Sequence, residues 1–219
     1  MIFKPTGTST ALINAVKPYL KARAFNFLNS LTPCGTLLDL ACGCGIVGNS
    51  LSSEVDDIYA SDISQEAVDY VSEKYPDIEV KCGNLFDPWE SMKFDYIVDD
   101  VSGVAEEIAK VSPWFDGVPC DSGKDGADLV VKVLEQAPKY LNENGKLFFP
   151  IVSLSNVDRI LDTANRLYKI ELLSHTDFPL PKKMYKHIDL LKELKKEGIQ
   201  FQEKFGLIIF FTDIYMAKV

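Results

Sequence analysis

The stretch that most constrains this chain is residues 36–48, TLLDLACGCGIVG. Leu37, Leu38 and Leu40 make a short apolar run that ends in Ala41-Cys42-Gly43-Cys44-Gly45. A buried strand that runs into a small-residue turn and then a helix is the simplest pattern that fits. Small residues let a backbone approach a ligand closely, and a helix start behind them offers free N–H groups. Asp39 interrupts the apolar run and needs a partner, because burying a carboxylate alone is costly. Asp62 follows 17 residues after Gly45, at the end of a second strand-like run over residues 57–61. An acidic residue at the tip of a second strand is placed to bind a ribose diol. The spacing is not G-x-G-x-x-G, so a nicotinamide cofactor is not the first expectation. A tight strand-to-helix turn with no ligand is the plainer alternative.

Composition narrows the classes. A length of 219 residues, 47% of them hydrophobic, suits one domain with a sizeable core. No apolar run reaches the ~18 residues of a membrane span. The N-terminal stretch lacks the long apolar centre of a signal peptide. The five cysteines, Cys34, Cys42, Cys44, Cys82 and Cys120, are odd in number and hold no C-x-x-C pair. Reduced thiols and a cytoplasmic protein with no metal are expected, with Cys42 and Cys44 as small packing residues. The net charge of −9 argues against nucleic acid as substrate, since phosphate contacts need a basic face. It leaves a small molecule or a peptide, and favours a cationic one slightly. A solvated acidic surface is the bland alternative.

Taken in order, residues 8–31 read as a helix that Pro18 breaks or kinks. Residues 32–35 are a turn into the first strand. Helix and strand then alternate: helix 46–53, strand 57–62, helix 64–75 with Ser64 as N-cap, strand 78–82 and strand 94–98. A short helix over 104–111 leads into a turn-rich loop, 113–123, with Trp114 and Phe115. Long loops of this kind carry specificity. Helix 127–141, strand 146–152, helix 156–167, strand 168–173 and strand 207–219 complete the pattern. Residues 179–203 are an insertion with Lys182, Lys183, Lys186, His187, Lys192, Lys195 and Lys196. A solvated face is its default reading, and a lid that attracts an acidic group is the rival. The fold expected is α/β, a doubly wound and mostly parallel sheet of seven strands with an antiparallel last strand. Residues 1–35 form an N-terminal helical cap, 36–219 the main domain, and 176–204 its insertion or lid.

The run Asp39-Leu40-Ala41-Cys42-Gly43-Cys44-Gly45 resembles the first motif of class I S-adenosylmethionine-dependent methyltransferases, Asp/Glu-x-Gly-x-Gly-x-Gly, with Ala41 in place of the first glycine. The replacement is mild if Ala41 keeps φ below zero, and costs roughly 1–2 kcal/mol if the left-handed region is needed. Residues 125–145, DGADLVVKVLEQAPKYLNENG, resemble the matching helix and turn of the release-factor glutamine methyltransferases. Those enzymes carry Asn-Pro-Pro-Tyr after strand four, where this chain has Asp100, Val101, Ser102 and Gly103. The resemblance implies a Rossmann-like methyltransferase fold and S-adenosylmethionine as cofactor. It places the methionine end over Ala41, Cys42, Gly43, Gly45 and Ile46, with Asp39 behind them. The ribose then falls on Asp62 and Ile63, and the adenine beside Asn84, Leu85 and Phe86, with Asp99 near the amino group. Asn84 also reads as a plain turn residue, and Asp99-Asp100 as caps of the following helix. Asp100 and Ser102 are the polar groups expected nearest the methyl, with Glu106, Trp114 and Phe115 on the acceptor side. The activity implied is methyl transfer to a nitrogen or oxygen of a small molecule or peptide. The alternatives are a protein glutamine or nucleic-acid N-methyltransferase, or a cofactor-binding protein without activity.

Overall fold

The computed structural model describes residues 2–28, 35–115, 118 and 120–219. The strands are β1 (Thr36–Leu40), β2 (Asp57–Asp62), β3 (Ile78–Cys82), β4 (Phe94–Asp99), β5 (Leu141–Val152), β6 (Lys169–Pro179), β7 (Gln202–Lys204) and β8 (Leu207–Lys218). The helices are α1 (Gly7–Leu28), α2 (Ile46–Leu51), α3 (Gln65–Lys74), α4 (Glu106–Val111), α5 (Asp128–Gln136), α6 (Val157–Leu167) and α7 (Ile188–Leu194).

The sheet order is β3-β2-β1-β4-β5-β8-β6. Strands β3 to β5 are mutually parallel, and β8 lies antiparallel between β5 and β6. The chain winds outward through β2 and β3, then returns to place β4 against the other side of β1. The carboxyl ends of β1 and β4, paired at Leu40 and Asp99, therefore form the point where the winding reverses. In open α/β sheets that point leaves a crevice for ligands.

Alternation along β1 explains the layers. Leu38 and Leu40 face one core with Val130, Val133 and Leu134 of α5 and Ile160 and Ala164 of α6. Leu37 faces the other core, with Leu12, Val16 and Leu20 of α1, Val47 of α2 and Val71 of α3. Each such side chain, fully buried, contributes roughly 1.5–3 kcal/mol. Asp39 points to the side of Leu37, so its carboxylate sits inside a core face. There Oδ2 accepts the Gly48 N–H of α2 at 2.8 Å. A Cβ on Gly48 would stand 3.0 Å from that same oxygen, so the close approach needs glycine.

Several boundaries differ from the sequence expectation. Pro18 sits inside one unbroken helix. The spacing of Leu12, Val16 and Leu20 holds the helix against the sheet on both sides of the proline, which outweighs the lost backbone bond. Strand β6 runs on past 173 to Pro179, because pairing with β8 continues through Pro179 and Ile209. Its polar run Ser174-His175-Thr176-Asp177 hides an edge strand that the apolar pattern does not reveal. An additional strand, β7, makes a hairpin with β8. The insertion over 179–203 buries Leu180, Met184, Leu191 and Leu194 in a third core with Ile108, Phe115 and Phe210. Its charges face outward in pairs such as Lys196–Glu193 and Lys124–Glu197. The turn expected at 32–34, with Cys34, lies outside the described residues.

Candidate functional site

The turn after β1 is built from three left-handed residues. Ala41 has φ +56°, Gly43 +50° and Gly45 +72°. Ala41 thus occupies the strained region rather than the mild one, at a cost of roughly 1–2 kcal/mol. The turn closes through the Gly45 N–H to the Cys42 carbonyl at 2.7 Å and is tied to β2 by the Cys42 N–H to the Ser61 carbonyl at 3.1 Å. Asp62 locks it further. Its Oδ2 accepts the Gly43 N–H and its Oδ1 accepts the Ser64 N–H, each at 2.9 Å. Asp62 is half-buried. Each oxygen keeps a second lone pair.

Beside Asp62 the surface is apolar and open. Ile63 is 74% exposed, the highest value for a large aliphatic side chain in this region. Asn84, at the tip of β3, is exposed, and Leu85 takes φ +49° while its carbonyl accepts the Ser61 hydroxyl at 3.0 Å. Phe86 is different. It is fully buried and stacks on Tyr140 at 4.4 Å, so it belongs to the core and cannot flank a ligand. The correction has a simple cause: the left-handed Leu85 reverses the chain and sends the next side chain inward. Across the turn, the Phe3 carbonyl lies 3.2 Å from where a Gly43 Cβ would be, so residues around Phe3 cross the crevice over Gly43.

Three carboxylates converge where β1 meets β4. Asp39 and Asp99 are fully buried, and Asp100 is half-buried. Asp99 Oδ1 accepts the Val101 N–H at 3.0 Å, while Asp99 Oδ2 and Asp39 Oδ1 have no hydrogen-bond partner among the described residues. Burial pushes Asp39 and Asp99 up to about 8, assisted by repulsion from neighbouring acids and opposed by one backbone N–H each. Burial also pushes Asp100 up to about 7, opposed by the Ser9 hydroxyl that donates to its Oδ2 at 2.7 Å. Burial, with the nearby Asp39 and Asp62, pushes the Cys42 thiol up, which keeps it an inert packing residue. Neither Asp39 nor Asp99 reaches the surface. Asp99 and Asp100 do not cap α4, whose N-cap is Ala105 without a side-chain bond. No cluster of metal-ligating side chains occurs among the described residues.

Next to this junction lies a cavity of about 140 Å³. Asp100, Ser102 and Gly103 form its floor, and Phe3, Trp114, Phe115, Phe178 and Phe210 supply aromatic walls. The rings brace one another: Phe3 on Phe115 at 5.4 Å, Trp114 on Phe210 at 5.5 Å and Phe178 on Phe210 at 5.7 Å. Glu106 is not part of the lining. Its carboxylate accepts the Gly123 N–H at 2.9 Å and shapes the loop instead. Ser9, Phe3, Phe178 and Phe210 join the site from the two ends of the chain. Ser9 and Phe210 carried only membership of an expected helix or strand as a sequence signal, and Phe3 and Phe178 carried none.

Residues 25–100, about a third of the chain, match the methyltransferase small domain. The fold is similar to those of solved methyltransferase structures. The ribosomal protein L11 methylase of Lactobacillus delbrueckii subsp. bulgaricus superposes with TM-score 0.52 over 94% of this chain and 79% of its own, at 16% identity. The fold of this chain is that of the class I methyltransferases. A protein from Methanobacterium thermoautotrophicum described as precorrin 8w decarboxylase gives TM-score 0.54 over 98% of this chain and 92% of its own, at 14% identity. The fold therefore does not by itself name a substrate. In sequence, the chain is 26% identical over 137 residues to the ribosomal protein uL3 glutamine methyltransferase of Francisella tularensis. It is 28% identical over 127 residues to the release factor glutamine methyltransferase of Thermodesulfovibrio yellowstonii. These matches cover 57% and 52% of this chain, but 44% and 46% of the relatives, so the chain aligns with less than half of each.

S-adenosylmethionine is the cofactor of this class, and the residues at the crevice suit it. A half-exposed carboxylate with spare lone pairs, an exposed isoleucine and an exposed asparagine stand in sequence along the tips of β2 and β3. The segment around Phe3 lies over Gly43; it has no regular structure before Gly7, Lys4 and Pro5 are exposed, and Phe3 is held by its ring contact with Phe115.

Proposed function

We propose that this chain transfers a methyl group from S-adenosylmethionine to a nitrogen or oxygen nucleophile of a small molecule or peptide. The observation that carries the reading is Asp100. It stands at the carboxyl end of β4, beside the glycine turn, and is the sole titratable group among the described residues that line the adjoining cavity. The cofactor supplies an electrophilic methyl group on a positively charged sulfur. The chain's own work is to bind, align and hold a proton. Asp62 takes the ribose hydroxyls with its remaining lone pairs, and Ile63, Asn84 and Leu85 form the edge on which the adenine rests. Ala41, Cys42, Gly43, Gly45 and Ile46 form the bed under the methionine end. Asp39 fixes the start of α2 through Gly48, and Asp99 sets the turn after β4 through Val101. Asp100 and Ser102 face the acceptor. With its acidity weakened by burial, Asp100 can receive a proton near neutral pH and so free a lone pair on the acceptor. Trp114 and Phe115 close the acceptor side. Alignment of this kind contributes up to ~7–11 kcal/mol in ideal cases.

A second reading is a protein glutamine methyltransferase, favoured by the names of the two relatives. Against it stand Asp100, Val101, Ser102 and Gly103, which offer no proline carbonyls and no tyrosine face to a planar amide. Nucleic acid is disfavoured by the net charge of −9. The test has two parts. Calorimetry with S-adenosylmethionine should show binding, and its absence would leave only a structural role. Asp100→Ala should keep that affinity and lose turnover on an accepted substrate; retained turnover would remove Asp100 from the mechanism.

A further inference from the structure

The acceptor cavity has a definite size, wall and charge. Its volume of about 140 Å³ is close to the ~150 Å³ that holds a benzene ring in an engineered protein cavity. It admits one ring-sized group and excludes a nucleoside. Five aromatic rings wall it, and aromatic faces attract cations as well as apolar surface. Its only titratable lining group among the described residues is an acid. Asp100 Oδ2 is taken by the Ser9 hydroxyl from α1, which leaves Oδ1 for a ligand. From β1 and β4 the titratable groups beside it are Asp39 and Asp99, both acids that burial holds towards the neutral form. Residues of the 100–104 turn, the 114–115 loop, β5, β6 and β8 present no basic side chain to the cavity.

We infer that the acceptor is a protonated amine carried on a ring-sized apolar body, with its nitrogen on Asp100 and its body among Phe3, Trp114, Phe115 and Phe210. This rests on the methyl-transfer reading and names its substrate class. A carboxylate or phosphate here would face the Asp100 carboxylate, and a neutral amide or hydroxyl would leave Asp100 without a counter-charge. The proton count closes. The ammonium passes one proton to Asp100, which becomes a neutral carboxyl, and the nitrogen keeps a lone pair. That pair forms the new N–C bond while the electrons of the broken C–S bond stay on sulfur. The product leaves as a secondary ammonium, and Asp100 releases its proton to water.

The test is calorimetry on the full chain with benzylamine, benzyl alcohol and benzamide, with and without S-adenosylhomocysteine. Benzylamine should bind about tenfold tighter than either neutral probe, equivalent to about 1.4 kcal/mol. Asp100→Asn should erase the preference while leaving the weak binding of benzyl alcohol in place. If Asp100→Asn does not fold, Trp114→Ala serves instead, and should weaken benzylamine about fivefold while methylamine is unchanged. Equal or tighter binding of benzyl alcohol or benzamide would overturn the inference, as would a preference that survives Asp100→Asn or benzylamine binding untouched by Trp114→Ala. Absence of S-adenosylhomocysteine binding is a separate result. It would sink the methyl-transfer reading, while a benzylamine preference on the chain alone would still stand as a property of the cavity.

Discussion

Gly45 closes the turn that all of the cofactor-side geometry depends on, and its replacement by alanine has a cost that can be worked from the structure. Its φ of +72° places an L side chain in the left-handed region, at roughly 1–2 kcal/mol. A Cβ there would stand 2.9 Å from Val71 Cγ2 and 3.2 and 3.3 Å from Tyr75 Cδ2 and Cε2. Val71 is fully buried, so the pair cannot simply swing away, and overpacking of this sort costs roughly 1–3 kcal/mol. Alanine also restricts the unfolded chain, which offsets about 0.4–1 kcal/mol. The net is a loss of about 3 kcal/mol, or roughly 6–12 °C in melting temperature for a chain of this size. Gly43→Ala is the internal control. It has the same conformational cost, but its nearest neighbour is the Phe3 carbonyl at 3.2 Å, in a segment outside the regular elements, so the loss should stay under about 1.5 kcal/mol. Scanning calorimetry of both variants and the parent decides the matter. If Gly45→Ala melts with the parent, or Gly43→Ala is the less stable of the two, then packing against α3 does not hold the turn as argued.

Other outcomes follow from the same contacts. Asp62→Ala removes the acceptor for the Gly43 and Ser64 N–H groups as well as the ribose partner, and should weaken S-adenosylhomocysteine binding by roughly 10- to 100-fold, from a charge-assisted bond of about 1.5–3 kcal/mol. Calorimetric affinity within twofold of the parent would show that the sugar lies elsewhere. The acids at the strand ends also set a pH dependence. Asp39 and Asp99 are raised from 3.8 to about 8 and Asp100 to about 7, so between about pH 4 and 8 the folded chain binds more protons at these sites than the unfolded chain. Their contribution to stability must fall as pH rises through that window, by up to about 1.4 kcal/mol per pH unit for each group titrating. Urea unfolding across the window should show the decline, and Asp39→Asn should flatten part of it. An unchanged slope in Asp39→Asn would mean that this carboxyl is not titrating in the folded chain.

What the sequence alone determined about this protein is local in origin. Apolar runs of strand length, small residues at the turn and an acid at the next strand tip follow rules that act over a few residues, and they yielded the α/β order and the place of the crevice. The tertiary structure decided what depends on distant neighbours. Ala41 is forced left-handed because the turn must reach both Ser61 and Asp62 on β2. Phe86 faces inward because Tyr140 offers a ring to stack on, and Glu106 turns from the cavity because the Gly123 N–H needs an acceptor. The wall of the cavity is assembled from Phe3 at one end of the chain and Phe210 at the other, and Ser9 meets Asp100 across 91 positions. Such pairings reflect competition for buried surface and lone pairs, which exists only once the chain has folded back on itself.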